Sequence, residues 1–357
     1  MEQTLLGHRA RFAAGLQEVA ADTYAWMQPN GGWGESNAGL VVGRNAAALI
    51  DTLWDIRLTA RMLAAVRETT PVPIETVVNT HSDGDHVWGN QLLAGAEIVA
   101  TRTAASIVRR ERPEEIARFK ALAGALRRVA SLPVPVLGRL ELPLLPRLPS
   151  GRLGEYVSAM LAPYDFSGIF VTPPGREFDG ELALSVGGRE LSLIEVGPAH
   201  TAGDLIVHLP DVRVCFAADV LFVGVAPVMW AGPTASWIAA LERILALDVD
   251  VVVPGHGPVS GPAEVELLRD HLAWLDAAAF PRLAAGTSVL DTARELLRSP
   301  EYRDAPWAGW DSPERMVISI ATIDRHRRGA ATGVGARERV ALFAHAATLA
   351  VEFGTGA

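Results

Sequence analysis

The 357-residue sequence predicts an α/β fold. Apolar segments of strand length alternate with segments of helical spacing before residue 80, and this alternation is typical of strand–helix–strand units. A second series of short strands occupies residues 181–253, and helical patterns dominate from Gly261 onward. Hydrophobic residues make up 49% of the chain and charged residues 20%, which is the balance of a folded globular protein.

Strands and one helix account for the first 80 residues. A short alternating stretch at Thr23–Ala25 is followed by a Gly-rich turn in Gly31–Gly43, which leads into an apolar strand. A second apolar strand, Ala46–Ile50, precedes residues 56–68, where apolar residues recur at helical spacing. Thr76–Asn79 is predicted to be a buried strand that ends in a polar loop, as in α/β proteins.

Residues 101–165 have a different character. A charged helical stretch begins near Arg109 and runs to about Val129. The segment Leu132–Pro149 holds five prolines, which excludes one continuous helix or a central strand. Residues 153–163 predict a short helix. We interpret the whole region as an insertion that lies over the core as a lid.

Strand patterns resume after Pro174. The predicted strands are Glu181–Ser185, Leu191–Val196, Asp204–Leu209, Arg213–Ala217 and Val251–Val253. The predicted helices are 234–246, 262–285, 289–299, 311–328 and 336–352. We therefore divide the chain into residues 1–285, which contain both series of strands, and a helical C-terminal extension, residues 286–357.

Composition and charge exclude several classes of function. The formal net charge of -9 argues against nucleic acid or an anionic membrane as the partner, and the single cysteine, Cys215, excludes an intramolecular disulfide. The longest apolar stretch, Val220–Gly232, has 13 residues and is too short to span a membrane. The N-terminus lacks the apolar segment of a secretory signal, so a cytoplasmic location is expected. We expect a small-molecule partner, and a homodimer is among the assemblies that the sequence leaves open.

The densest group of metal-ligand side chains follows the strand Thr76–Asn79. The sequence THSDGDHVWGN places His81, Asp83, Asp85 and His86 within six residues, and a tight loop can turn all four side chains to one side. Imidazole nitrogens and carboxylate oxygens are ligands for zinc, iron or manganese. A solvated polar turn is the alternative, which the size of the group disfavours.

Three further ligand candidates follow predicted strands. His200 lies in GPAHTAGD, Asp219 in FAADVLF and His256 in VVPGHG. Each residue alone could be a surface or capping group, but α/β layers place their sites at the C-terminal ends of strands. Their shared placement favours the interpretation of all three as metal ligands.

The order HxDxDH, GPAHTAGD, AADVLF and PGHG, over about residues 20–275, resembles the metallo-β-lactamase superfamily, whose usual pattern begins with HxHxDH. The resemblance implies an αββα sandwich with a metal site at one edge of two sheets, here with a helical insertion and a helical C-terminal extension. The implied ligands fall into two sets, namely His81, Asp83 and His200 for one metal and Asp85, His86 and His256 for the other, with Asp219 bridging both. The resemblance also implies that Asp51 supports the site from behind the ligands, and Asp85 is our candidate for proton transfer.

Asp83 departs from the family pattern, in which His is usual. An aspartate adds a negative charge, a harder oxygen ligand and a shorter side chain. We expect one or two divalent metal ions, zinc in the first place, with iron or manganese favoured more at the set that contains Asp83. Flavodiiron proteins, which look like members of the same superfamily, carry a Glu at this position. The alternative is that Asp83 falls short and only the other set fills.

Large apolar residues beside the motif loops predict an aromatic-lined substrate pocket. They are Trp33, Trp88, Phe222, Met229 and Trp230. Ordinary core packing is the alternative for some of them. Among basic residues, only Arg213 lies near the motif loops, so a phosphate ester or a nucleic acid, which needs a cationic cradle, is disfavoured as substrate.

These patterns predict a metal-dependent hydrolase that acts on an ester, lactone or thioester of a mostly apolar substrate through metal-activated water. The segments GGWGESNAG and VVNTHSDGDHVWGN are also similar to the bifunctional cyclase/thioesterases of bacterial aromatic polyketide pathways. Polyketide cyclase/thioesterase activity is therefore the alternative. A di-iron redox protein is a third hypothesis, suggested by Asp83, and a binding protein that has lost one metal is a fourth.

Overall fold

Two β-sheets form the centre of the computed structural model, which describes residues 3–130, 135–136, 140–141, 149–330 and 333–355. The first sheet has the strand order β1-β2-β3-β4-β5-β6-β9, and the second has the order β10-β11-β12-β13-β14. The strands of the first sheet are β1 (Gly15–Ala20), β2 (Thr23–Met27), β3 (Ala38–Val42), β4 (Ala47–Ile50), β5 (Ile74–Val78), β6 (Glu97–Thr101) and β9 (Arg176–Phe178). Those of the second are β10 (Glu181–Val186), β11 (Arg189–Glu195), β12 (Leu205–Leu209), β13 (Val214–Phe222) and β14 (Val251–His256). A further pair, β7 (Pro135–Val136) and β8 (Leu140–Glu141), lies in the insertion.

Parallel pairing brings several strand ends to one edge of the molecule. In the first sheet, β4, β5, β6 and β9 are parallel to one another, while β1 to β4 pair antiparallel. In the second sheet only β13 and β14 are parallel. The C-terminal ends of β4 and β5 therefore lie side by side, as do those of β13 and β14.

Helices cover both outer faces of the sheets. They are α1 (Ile56–Thr69), α2 (Gly84–Val87), α3 (Arg102–Val108), α4 (Pro113–Ala130), α5 (Pro149–Leu161), α6 (Thr234–Leu245), α7 (Pro262–Ala284), α8 (Val289–Arg298), α9 (Pro300–Arg303), α10 (Met316–Arg327) and α11 (Ala336–Phe353). On α1, Met62 and Leu63 pack against the first sheet, and on α6, Trp237 and Leu241 belong to the core beside the second sheet. The order helix, sheet, sheet, helix is the predicted αββα sandwich.

The layer between the sheets is apolar because each sheet turns alternate residues inward. From the first sheet it contains Ile50 and Val78, and from the second Val207 and Phe216, all at most 2% exposed. Burial of four such side chains removes enough apolar surface to stabilise the sandwich by several kcal/mol, at roughly 1.5–3 kcal/mol for each.

The insertion is more deeply integrated than a surface lid. Val157 and Leu161 on α5 are fully buried in the same apolar cluster as Leu342 and Ala346 on α11. The helical extension also packs into this cluster through α8 and α10, so the sandwich, insertion and extension share a core. The proposed boundary between residues 285 and 286 stays a prediction.

Some elements differ from the sequence prediction. The sequence patterns did not predict β1, β9 and α3: β1 is a half-exposed edge strand, and β9 has only three residues. The helix predicted to begin at residue 311 starts instead at Met316, after a 3₁₀ turn at Pro313–Arg315. Ser312 has a left-handed backbone, with φ of 55°, which a helix cannot include.

Two other expectations concern the chain more broadly. Most of the proline-rich segment Leu132–Pro149 lies outside the described residues. Within the described part of the chain, no helix combines the length and the apolar character needed to cross a bilayer.

Candidate metal centre

Seven side chains converge where the two sheets meet at their C-terminal edge. They are His81, Asp83, Asp85, His86, His200, Asp219 and His256, and we call them the ligand cluster. The first four follow β5, either in the loop or on the single turn α2. The other three come from the second sheet, since His200 lies between β11 and β12, Asp219 lies within β13 and His256 ends β14.

The carboxylate of Asp219 lies at the centre of four imidazoles. Its Oδ1 is 3.1 Å from Nε2 of His86, and its Oδ2 is 3.3 Å from Nε2 of His200, 3.4 Å from that of His256 and 3.9 Å from that of His81. A carboxylate between two pairs of histidines has the placement needed to contact two cations at once.

The remaining ligands divide into two groups. The potential ligand atoms of His81, Asp83 and His200 lie within 4.8 Å of one another, and so do those of Asp85, His86 and His256. These are the two sets that the resemblance implies.

Asp83 reaches the first of these groups. Its Oδ2 is 3.2 Å from Nε2 of His200, so its shorter side chain does not leave the group incomplete. In the second group, Oδ2 of Asp85 is 3.5 Å from Nε2 of His256.

Unpaired polar atoms point to a cation in the cluster. Nε2 of His81, Nε2 of His86 and Oδ1 of Asp219 are buried and have no hydrogen-bond partner among the described residues. A buried polar atom without a partner is costly, so native proteins rarely leave three together. Imidazole nitrogens and carboxylate oxygens that face one another fit divalent metal ions.

Hydrogen bonds behind the ligands turn their Nε2 atoms inward. Nδ1 of His86 lies 2.9 Å from Oδ2 of Asp51, and Nδ1 of His200 lies 2.5 Å from the carbonyl oxygen of Val228. A carboxylate and a carbonyl accept here, so both Nδ1 atoms carry a proton, and Nε2 is the ring atom that each histidine turns toward a cation. Asp51 thus has the supporting position that the sequence suggested.

Asp51 also organises the neighbouring ligand His81. The backbone nitrogen and the hydroxyl of Thr80 both donate to its carboxylate, at 2.8 and 2.6 Å. The hydroxyl oxygen of Thr80 then accepts from Nδ1 of His81 at 3.0 Å. One carboxylate therefore orients His86 directly and His81 through a hydroxyl.

Gly255 makes room for the central carboxylate. A Cβ atom at this position would lie 1.9 Å from Oδ1 of Asp219, a distance at which atoms overlap. The glycine in the sequence PGHG therefore has a steric reason, because β14 passes next to Asp219 immediately before it presents His256.

The charges of the cluster favour a cation. Burial would raise the pKa of Asp219, but the imidazoles of His256, His86 and His200 outweigh it and hold this pKa well below its usual range. Burial lowers the pKa of His200, yet Asp219 and Asp83 outweigh it and raise this pKa to about 9. A positive charge is therefore favoured at this point, and a metal ion is the alternative way to supply it. Burial and His86 lower the pKa of His81 to about 4, so its imidazole is neutral at pH 7, as a metal ligand must be.

The family model that describes the metallo-β-lactamase superfamily matches residues 31–256 of the sequence. The match runs from the Gly-rich loop before β3 to the last histidine of the ligand cluster. The chain belongs to the metallo-β-lactamase superfamily.

Two curated relatives are similar to parts of this superfamily member. The 2,4-dinitroanisole O-demethylase subunit alpha of Nocardioides sp. (strain JS1661) is 38% identical over 143 residues, which are 38% of this chain and 42% of that protein. The linear primary-alkylsulfatase of Pseudomonas sp. (strain ATCC 19151) is 24% identical over 241 residues, 64% of this chain and 43% of that protein. The matches thus span less than half of the length of either relative.

Solved structures share the fold. The stereoselective inverting sec-alkylsulfatase Pisa1 from Pseudomonas sp. superposes with a TM-score of 0.63 at 18% identity, over 88% of this chain and 50% of that one. A metallo-β-lactamase from Pontibacter korlensis gives a TM-score of 0.50 at 18% identity, over 73% of this chain and 99% of that one. At these identities the likeness concerns the fold alone.

Five residues of the ligand cluster line a cavity of about 520 Å³, namely Asp83, Asp85, His200, Asp219 and His256. Four of the five side chains expected in a substrate pocket line it, namely Trp33, Trp88, Phe222 and Trp230. Phe222 stacks on the ring of His256 with the centroids 5.2 Å apart. Phe119 on α4 and Phe343 on α11 complete the aromatic surface, so the insertion and the extension both cover the cavity.

Met229 is not placed as the sequence suggested. It is fully buried and does not line the cavity. Its backbone nitrogen donates to the hydroxyl of Ser319 on α10 at 3.1 Å, and its carbonyl oxygen accepts from the hydroxyl of Thr322 at 2.6 Å. These bonds hold the segment against α10, so the expectation of substrate contact by Met229 is corrected.

The cavity also contains charged residues that the sequence did not indicate. Four arginines line it, namely Arg110, Arg112, Arg315 and Arg339. These residues come from the insertion and the C-terminal extension, whereas the sequence analysis considered cations only in the motif loops. Glu111 lies in the same wall, and burial, helped by Asp83, raises its pKa to about 7. No motif marks these positions.

Proposed function

We propose that this metallo-β-lactamase superfamily member is a metal-dependent hydrolase that cleaves an ester, lactone or thioester bond in a largely apolar substrate. The observation that carries the proposal is the ligand cluster, with its unpaired inward-facing atoms, in the wall of an aromatic cavity. Bound divalent metal ions would supply Lewis acidity and an activated water there. We propose zinc first, with iron or manganese as the alternative beside Asp83.

The residues of the chain have separate tasks in this proposal. The two ligand groups hold the metals, with Asp219 between them. Asp85 borders the cavity with a side chain 15% exposed, and we assign proton transfer next to the substrate to it. Trp33, Phe222 and Trp230 would hold the apolar body of the substrate and exclude water around the reacting bond.

The arginines and the relatives favour a second candidate reaction. One curated relative is an alkylsulfatase and the other an O-demethylase subunit, so cleavage of a sulfate ester or an aryl methyl ether is a specific alternative within the same hydrolase class. Arginines in the cavity wall support the sulfate ester, since guanidinium groups bind oxyanions. Ring closure of a polyketide thioester remains the alternative suggested by the aromatic lining.

A substrate panel on purified protein tests these proposals. Metal content is measured first by mass spectrometry on protein purified without added metal. Initial rates are then compared for a 4-nitrophenyl ester, a medium-chain lactone, an acyl thioester, an alkyl sulfate and an aryl methyl ether. His86→Ala serves as the control, because it removes an imidazole from the second ligand group. Turnover of none of these substrates by fully metal-loaded protein, or full activity and metal content of His86→Ala, would contradict the proposed hydrolase.

A further inference from the structure

A buried arginine in the cavity wall is not used by the metal centre. Arg315 ends the 3₁₀ turn before α10 and is 2% exposed, yet it lines the cavity. Its guanidinium lies over the ring of Trp33, 4.3 Å from the ring centroid. Trp33 is itself held in place, since its Nε1 donates to the hydroxyl of Tyr156 at 3.0 Å and its carbonyl accepts from the hydroxyl of Tyr164 at 2.6 Å. The arginine therefore has a defined position.

The guanidinium of Arg315 lacks hydrogen-bond acceptors. Its Nε and Nη2 are buried and have no hydrogen-bond partner among the described residues. A buried arginine without acceptors is unusual, because the charged group loses its water without replacement.

The carboxylates near Arg315 are engaged elsewhere. Glu314 accepts from the hydroxyls of Tyr156 and Thr355, each at 2.9 Å. Glu35 accepts from the backbone nitrogens of Leu5 and Gly32, at 3.0 and 3.1 Å. These acids balance part of the charge of Arg315 from a distance, but neither accepts from its Nε or Nη2, so an acceptor for these two nitrogens would have to come from a ligand.

We propose that Arg315 binds an anionic group of the substrate, which is then an amphiphile with a negatively charged group and an apolar body. The anion, such as a carboxylate, sulfate or sulfonate, lies against the guanidinium. The apolar body lies along the aromatic surface that runs from Trp33 through Phe343 to Trp230, whose ring centroids are 5.5 and 6.3 Å from that of Phe343. This role of Arg315 rests on the proposed function in one respect, because it takes the bound ligand to be the substrate of the metal centre.

The other arginines of the cavity are less suited to this role. Arg110, Arg112 and Arg339 are exposed, and an ion pair in water contributes little to binding. Arg298 also lies over an aromatic ring, that of Phe353 at 5.6 Å, but it is exposed and does not line the cavity. It therefore provides a matched control for Arg315.

A pair of non-hydrolysable ligands separates recognition from catalysis. Octane-1-sulfonate and methyl octyl sulfone share the chain and the tetrahedral sulfur, and only the former is charged. Their dissociation constants are measured by tryptophan fluorescence and calorimetry on the metal-loaded full chain. We expect the wild type to bind the sulfonate at least about tenfold more tightly than the sulfone, since a hydrogen-bonded pair with a charged group contributes that much or more.

Variants assign this preference to one residue. Arg315→Met should weaken sulfonate binding about 10- to 100-fold and change sulfone binding by less than about threefold. Arg298→Met should change both by less than about threefold, because Arg298 lies outside the cavity. Metal content and the thermal midpoint show whether Arg315→Met is folded. If Arg315→Met is not folded, Arg315→Lys is used instead, because it keeps the charge but not the planar group over Trp33. The ratio of sulfonate affinity to sulfone affinity of Arg315→Lys should then lie below that of the wild type.

The outcomes distinguish this proposal from the proposed function. An unchanged sulfonate-to-sulfone ratio in the folded Arg315 variant, or a wild type without preference, overturns the role of Arg315 while the hydrolase stands. A preference that depends on Arg315, in a protein that turns over no substrate of the panel, supports anion binding while the hydrolase fails.

Discussion

Asp83 sets the charge of one half of the metal centre. Its carboxylate lies 3.2 Å from Nε2 of His200, and Nδ1 of that imidazole already donates to Val228. A hydrogen bond from Nε2 to Asp83 therefore requires a doubly protonated, positively charged ring. A divalent cation between the two groups would remove this requirement, and an oxygen-rich group favours iron or manganese over zinc more than an all-histidine group does.

We expect Asp83→His to shift the metal content toward zinc, because it exchanges an oxygen ligand for a nitrogen and removes one of three carboxylates. The measurement is the ratio of zinc to iron and manganese in protein from cells supplied with all three metals. Asp179→His is the control, since Asp179 is exposed and pairs with Arg102. An unchanged ratio in Asp83→His would mean that Asp83 does not bind metal.

Asp51 supports two ligands at once, so its substitution should act on the metal without removing a ligand. We expect Asp51→Asn to lower metal affinity about 10- to 100-fold, the usual effect of losing a carboxylate behind a ligating histidine. Competition with a chromogenic chelator measures this affinity. The asparagine suits the left-handed backbone at this position, where φ is 63°.

Asp55→Asn is the matched control for Asp51→Asn. Asp55 is fully buried and accepts from the backbone nitrogen of Leu58 at 2.8 Å, which caps α1. This variant should lower the free energy of unfolding and leave metal affinity unchanged. Equal loss of affinity in both variants would show that the effect of Asp51 is general destabilisation.

Among the elements, the two long helices of the insertion differ in what they do. The sequence predicted a lid, and α4 has that position, with Ile116 and Phe119 in the cavity wall. By contrast, α5 both lines the cavity, with Met160 and Leu161, and belongs to the core, in which Val157 is fully buried. Charge and proline content marked the region as an insertion, but helical spacing alone does not tell whether a helix packs on a core or only covers a site.

The long helix α7 carries a buried histidine in an aromatic setting. His271 is 3% exposed, and its ring lies 4.9 Å from that of Trp310 and 5.1 Å from that of Trp307. Burial lowers its pKa from 6.5 to about 3. The unfolded chain therefore binds a proton between these two pH values while the folded protein does not, and stability falls as the pH falls through this window.

We expect His271→Leu to remove this part of the pH dependence. Between pH 5.5 and 4.5 the free energy of unfolding of the wild type should fall by about 1.4 kcal/mol per pH unit more than that of the variant. Urea unfolding at several pH values measures both slopes, and the metal centre, which titrates in both proteins, cancels in the difference. Parallel slopes would show that His271 titrates alike in the folded and unfolded states.

For the molecule as a whole, the ligand cluster joins the two sheets. His81, Asp83, Asp85 and His86 follow β5 of the first sheet, and His200, Asp219 and His256 come from the second. A metal bound by both sets would bind the folded state and not the unfolded chain, in which these ligands are far apart.

Removal of metal by a chelator should therefore lower the thermal midpoint. A metal present at 1,000 times its dissociation constant stabilises the folded state by about 4 kcal/mol, so the shift should be several degrees. Calorimetry with and without chelator measures it. His86→Ala should respond less than the wild type, since one ligand group is already impaired. An identical midpoint after complete removal of metal would exclude a metal link between the sheets.

Local patterns account for the part of the site that could be predicted from the sequence. The metal-ligand residue types stand next to strongly apolar strands, so their placement at strand ends could be inferred without knowledge of the fold. The α/β class followed from the same strands, and the αββα sandwich was implied by the resemblance of the ordered motifs to the metallo-β-lactamase superfamily. Edge elements such as β1 and β9 could not be predicted, because a polar or very short strand is stabilised by its neighbours and not by its own pattern.

The sequence by itself determined the ligand types and the αββα layers, whereas only the tertiary structure decided what surrounds the metals. Arg315 and Phe343 lie in helical segments far along the chain from Asp83, yet all three line one cavity. Met229 has an apolar side chain of the type that the pocket prediction required, but it is fully buried away from the cavity, and its backbone is hydrogen-bonded to α10. A pattern shows that a side chain is to be buried, and the neighbour against which it is buried depends on how distant segments pack.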